Sequence, residues 1–137
     1  MNPSPGQPGD AALDPAVQHA IADGVRLFDS GAYWHAHEAW EQAWRQERGP
    51  DRHYLKGLIQ FAAALHHWQR GKRAPAARLL SQAHAHIQCH AGARWPFITS
   101  QVLHLLALSA RQLQQGAATP RAQLHPAHRP MPIGQGR

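Results

Sequence analysis

The segment Leu55–Trp68, LKGLIQFAAALHHW, limits the possible folds of this chain more than any other. Ala62, Ala63 and Ala64 follow one another among Leu58, Ile59, Phe61 and Leu65. Alanine and leucine favour helix over sheet. A helix apolar around so much of its circumference must be covered on most sides, which makes it the central element. Its alanines let a neighbouring helix come close. Gly57 costs about 1 kcal/mol against alanine inside a helix, and close backbone contact with a neighbour is the expected reason for it.

The remaining segments supply helices to surround this one. Asp14-Pro15 has the form of a helix start, with the aspartate as N-cap and the proline in the first turn. From there Val17, Ile21, Val25 and Phe28 recur at helical spacing and predict a helix to about Phe28. Asp29-Ser30-Gly31 breaks it. A second helix is predicted over about Ala32–Glu47, closed by Arg48-Gly49-Pro50. The central helix spans about Asp51–Arg70. After Gly71, a fourth is predicted over Pro75–His90, with Ala76, Leu79, Leu80, Ala83 and Ile87 inward. A fifth runs over Ile98–Gln115, with Val102, Leu105, Leu106, Leu108, Ala110 and Leu113 on its apolar face. The expected fold is therefore all-α: a compact single-domain bundle or array of about five antiparallel helices.

A length of 137 residues sets one domain, and 43% apolar content is enough for a core. Residues 1–13, rich in Pro and Gly, read as a mobile N-terminal tail, and 14–115 as the helical domain. From Gly116 to 137 the prolines at 120, 126, 130 and 132 predict a disordered Pro-rich tail. The N-terminus does not read as a signal peptide, and the longest apolar window is too short to span a membrane. Cys89 is the one cysteine, which excludes an intramolecular disulfide and fits a cytoplasmic location.

All eight acidic residues lie at or before Asp51, and the chain beyond it carries eleven Lys or Arg. Acidic early helices packing beside basic later ones would account for this. The alternative is a basic face for nucleic acid, which requires Lys56, Arg70, Lys72, Arg73 and Arg78 on one continuous surface. The singly spaced cations make nucleic acid the weaker expectation.

The densest chemistry lies in the second helix, Trp34-His35-Ala36-His37-Glu38-Ala39-Trp40-Glu41-Gln42-Ala43-Trp44. His37 and Glu41 are four residues apart and share a side of the helix, with Glu38 close in angle. The expected partner is His66 of the central helix. His53, Gln60 and His67 form a separate and more exposed stripe flanked by Lys56. Carboxylates beside tryptophans near a core must be paired, hydrogen-bonded, protonated or bound to metal. Three readings follow. His37, Glu38, Glu41 and His66 form a buried hydrogen-bond network that sets helix packing. Alternatively His37, Glu41 and His66 bind a single divalent metal, Zn, Mn or Fe. In the third, the same four residues carry metal-free acid–base chemistry. The zincin pattern needs histidine where Glu41 stands, and the Glu-x-x-His motif of di-iron bundles is missing.

Phe28, Gly31, Tyr33, His37, Glu38, Glu41 and Trp44, followed by Gly57, Leu58, Ile59, Gln60, Ala62, Ala63, Ala64 and His66, resemble the motif of domain-of-unknown-function family 309. The resemblance implies a small all-helical protein and selects the same His37/Glu38/Glu41/His66 patch. It implies no substrate or small-molecule ligand. Where the family has a glycine near the start of the next helix, Pro75-Ala76 stands here. If the chain is not an enzyme, the expectation is a helical scaffold or homo-oligomeric interaction module, with Trp68 and Trp95 as the interface tryptophans.

Overall fold

The structure, a computed structural model, describes residues 14–49, 51–89, 99–120 and 122–124. Five helices follow in order: α1 (Pro15–Asp29), α2 (Tyr33–Gln46), α3 (Arg52–Gln69), α4 (Arg73–Cys89) and α5 (Thr99–Gln114), with no strand among the described residues. The all-α expectation holds. The boundaries agree with the sequence reading to within about two residues, the usual scatter of helix ends. The expected ends at His90 and Ile98, and the tails at 1–13 and 125–137, lie outside the described residues.

Local chemistry sets these limits. The Asp14 carboxylate accepts the Ala16 amide at 2.7 Å and opens α1. Three helices then stop by one device. Gly31, Gly71 and Gly116 follow α1, α3 and α5 with φ of 89°, 79° and 79°. Beyond each glycine the next amide turns back to a helix carbonyl: Ala32 to Leu27, Lys72 to His67 and Ala117 to Gln112, at 2.9, 2.8 and 3.0 Å. Only glycine enters that left-handed conformation without strain, and the turn satisfies carbonyls a helix end leaves open.

The three caps meet at one pole. There the Gln69 amide donates to the Gly31 carbonyl, and the Arg73 guanidinium at the start of α4 donates to the Leu113 carbonyl at the end of α5. Each helix packs on the next in an antiparallel series. α3 buries eleven of its eighteen residues, while the other helices bury four or five each. It is the central element that its alanine run predicted. A Cβ on Gly57 would stand 2.6 Å from Ile87 Cγ1 and 3.2 Å from the Ala83 carbonyl oxygen, so glycine there lets α4 close on α3. Gly24 does the same for α1, because a Cβ would enter the Trp40 indole.

The packed domain does not end at 115. Ala122 and Leu124 are buried in the core, and Ala117, Pro120 and Leu124 are each tied to a different helix. Trp68 of α3 donates from Nε1 to the Ala117 carbonyl (3.1 Å). Tyr33 of α2 donates its hydroxyl to the Pro120 carbonyl (3.0 Å). The Leu124 amide donates to Asp29 Oδ1 at the end of α1 (2.6 Å). Proline content argued for a tail, but prolines do not prevent an extended segment from being held by side chains. Trp68 is 3% exposed, so it is an interior residue and not the interface tryptophan expected of it. Trp95 lies outside the described residues.

Candidate functional site

Two stripes with the same spacing run along α2, one residue out of phase. Tyr33, Ala36, Trp40 and Ala43 are its buried residues. Trp34, His37, Glu41 and Trp44 form the second stripe, about 100° around the helix and beside α3. Trp34 is 41% exposed, the one large hydrophobic residue so placed among the described residues.

Trp34 and His37 stack nearly parallel, ring centres 4.5 Å apart at 13°. His66 of α3 approaches the same indole at 4.9 Å and 43°, and His67 stands 5.8 Å from His66. One exposed indole thus carries an imidazole from each helix. The His37 side chain is 14% exposed, and its Nε2 lies 3.7 Å from Glu41 Oε2. Glu41 Oε1 in turn meets Arg45 at 3.6 Å. Toward the far end of the stripe, Trp44 receives the Arg52 guanidinium at 3.8 Å and the Lys56 ammonium at 5.1 Å from its ring centre. Arg52 also donates from Nε to the Trp44 carbonyl. These two cations sit one turn apart on α3 and clamp it to α2 through an aromatic face.

Burial is the main influence on His37 and pushes its pKa below the ordinary 6.5. Glu41 and Glu38 oppose that shift, while Lys56 and His67 add to it. His66 is lowered too, first by burial, then by His67, Arg70, His37 and Lys72. Both imidazoles therefore favour the neutral form at pH 7. Nδ1 of His37 and Nδ1 of His67 are sealed from solvent with no hydrogen-bond partner. A satisfied network would leave no such atoms.

This arrangement revises the sequence reading residue by residue. His37, Glu41 and His66 do come together at the α2–α3 seam. Glu38 faces away: its side chain is 57% exposed and pairs with His35 at 3.5 Å. The side chains around His37 are joined by ring stacking and by polar contacts at 3.6–3.7 Å, beyond good hydrogen-bond length, rather than by a connected set of hydrogen bonds. Trp40 does not flank the patch. It is fully buried, donating from Nε1 to the Ile21 carbonyl at 3.1 Å. Among the described residues no group of three or more His, Cys, Asp or Glu is placed to hold a metal ion. His37, Glu41 and His66 do not form such a group, and the Trp34 indole packs against both imidazoles.

His67 was assigned to the exposed stripe but belongs to the cluster. Helical angle alone gave no sign of this, since the 100° between His66 and His67 leaves both able to face α2. The rest of that stripe turns to α4, where Gln60 meets His86 Nδ1 at 2.8 Å and the Gln82 side chain at 3.3 Å. Of the five cations considered for nucleic acid, Lys56 lies over Trp44 and Arg73 caps α5. A groove of about 450 Å³ between α4 and α5 is lined by apolar and neutral side chains, with His84 as its one titratable group. No helix of the described residues is long and apolar enough to cross a membrane.

Residues 21–79 match the family model described as a domain of unknown function, DUF309. The match covers the end of α1, all of α2 and α3 and the start of α4, and so contains the whole seam. No curated protein and no solved structure matches the chain.

Proposed function

We propose that this chain, with its DUF309 match at the seam, is a helical interaction module. Its working surface is the outer stripe of α2 with His66, and its occupant is the same surface on a second copy. The observation that carries this is Trp34. An indole 41% exposed lies over the chemistry-bearing side chains while its sequence neighbour Tyr33 is buried. Two further features support a second copy. His37 and His66 favour the uncharged form at neutral pH, so the centre of the patch is aromatic and apolar. Its rim carries both signs, Glu41 against Arg45 and Lys56, as a two-fold contact of one patch with itself requires. The reading keeps the chain in the cytoplasm, where the exposed thiol of Cys89 stays reduced.

Sedimentation equilibrium of the untagged full chain tests this. The expected result is a concentration-dependent dimer, weakened at least tenfold by Trp34→Ala with helix content unchanged, about 1.4 kcal/mol of association energy. A chain that stays monomeric at all concentrations removes the second copy as occupant.

The contact of His37 Nε2 with Glu41 favours a second reading, acid–base chemistry of the hydrolytic kind. Against it, Nδ1 is sealed, so only the nitrogen facing Glu41 can meet substrate. Ester or phosphoester turnover, lost in both His37→Gln and Glu41→Gln while association is kept, would place this reading first.

A further inference from the structure

Residues 117–120 and 122–124 lie at the capped pole and belong to no helix. Their contacts fall in order: Ala117 on α3, Pro120 on α2, Leu124 on α1. Fully extended, seven residues reach about 24 Å, enough for two interhelical steps of roughly 8–10 Å. Side chains of the helices hold the segment by its backbone: two donors take carbonyls and one carboxylate takes an amide. Two apolar side chains, Ala122 and Leu124, enter the core at 4% and 6% exposure. Pro120 offers its carbonyl and lacks an amide, which no contact here requires.

The holders and the held segment fall on opposite sides of the family match. Asp29, Tyr33 and Trp68 all lie within residues 21–79 that match the family model, and 117–124 lies outside it. The donor tips of Tyr33 and Trp68 belong to side chains 1% and 3% exposed, so each needs an acceptor brought to it. Main-chain contacts supply affinity and alternate side-chain pockets supply selectivity, as in other modes of extended-peptide recognition.

From these contacts we infer that the pole formed by Asp29, Tyr33 and Trp68 is a binding site for an extended peptide, and that this chain fills it with its own residues 117–124. The peptide class is specific. It presents a carbonyl at its first position, a proline carbonyl at the fourth, a small apolar residue at the sixth, and at the eighth a leucine whose own amide is held. Tethering directly to α5 gives the internal segment an effective concentration on the order of millimolar, so it outcompetes a free peptide until it is weakened. The site is independent of the Trp34 surface.

The test uses the full chain carrying Leu124→Asp, and separately Leu124→Ala, which loosens the segment without placing a charge in the core. The probe is a labelled synthetic octapeptide, AATPRAQL, followed by fluorescence anisotropy. Both variants should bind it at least about tenfold more tightly than the unaltered chain does, as release of the tethered competitor demands. The peptide should also raise their melting temperatures, and its version with aspartate in place of leucine should do neither. If a variant loses helix on its own, recovery of helix on adding the peptide supports the site. Folded variants that do not bind the peptide, or unfolded ones it does not rescue, overturn the proposal and leave 117–124 as a fixed part of the core.

Discussion

Tyr33 and Trp40 on one side of α2 and Trp34 and Trp44 on the other are large aromatic residues on two neighbouring stripes of one helix. Their surroundings differ. On the inner side both polar tips are bonded, Tyr33 to the Pro120 carbonyl and Trp40 to that of Ile21, and both rings pack on Phe28, at 5.0 and 5.7 Å, which in turn meets Phe61 at 5.1 Å. On the outer side an indole is exposed, imidazole nitrogens lack partners, and charges pair at the edge of hydrogen-bonding range. A one-residue shift of phase separates a completed interface from an incomplete one. The inner stripe has its partners within the chain. The outer stripe has the composition of an interface centre, aromatic rings surrounded by polar residues, and among the described residues its Trp34 stays exposed.

The comparison breaks most readily at the paired tryptophans. Trp40→Ala should cost about 3–5 kcal/mol in urea unfolding, since it empties a filled core position and removes the bond to the Ile21 carbonyl. Trp34→Ala should stay within about 1 kcal/mol while weakening self-association. Equal losses for both would mean that the two stripes are alike and that Trp34 serves folding. A smaller loss tests the inner stripe from the other helix. Gly24→Ala drives a methyl into the Trp40 indole and should cost roughly 1–3 kcal/mol. An unchanged melting temperature would show that Trp40 is not seated tightly on α1.

These cases also show what a sequence can convey. The helices, the central place of α3 and the purpose of Gly57 followed from apolar periodicity and from the poor helix propensity of glycine, both local properties. The His37–Glu41–His66 neighbourhood followed as well, because four-residue spacing fixes a helical side. Three features did not. Glu38 and His67 each lie 100° from a correctly placed residue, and which of two adjacent positions turns inward depends on how α2 and α3 are rotated against each other. The expectation that Trp68 lay at an interface failed because its acceptor, Ala117, is forty-nine residues away in a segment whose prolines suggested a tail. Nothing near Trp68 in sequence announces that partner.

Acid sharpens the comparison further. His37 and His66 have folded-state pKa values below 6.5, so the unfolded chain binds protons that the folded chain refuses. Stability is complete above pH 6.5 and declines as pH falls from there toward the depressed values. Urea midpoints measured between pH 7.5 and 5 should fall, and less steeply in a His37→Gln, His66→Gln double variant. In Trp34→Ala, the His37 resonance should titrate closer to 6.5, because burial is the main cause of its shift and the stacked indole covers one face of the ring. The smallest expected effect is at the far end of the stripe. Arg52→Ala should cost about 0.5–1 kcal/mol through the lost cation–π contact with Trp44, without altering the titration of His37.

The most direct test of the outer stripe as a contact surface is a dilution series of ¹⁵N-labelled full chain, following the tryptophan indole N–H resonances. Trp40 and Trp68 have their indole N–H groups bonded inside the protein, to Ile21 and Ala117. Those two signals should hold still while that of Trp34 moves with concentration. Movement of Trp40 and Trp68 instead, or a Trp34 signal that does not change at any concentration, would contradict the assignment of this face to a second copy.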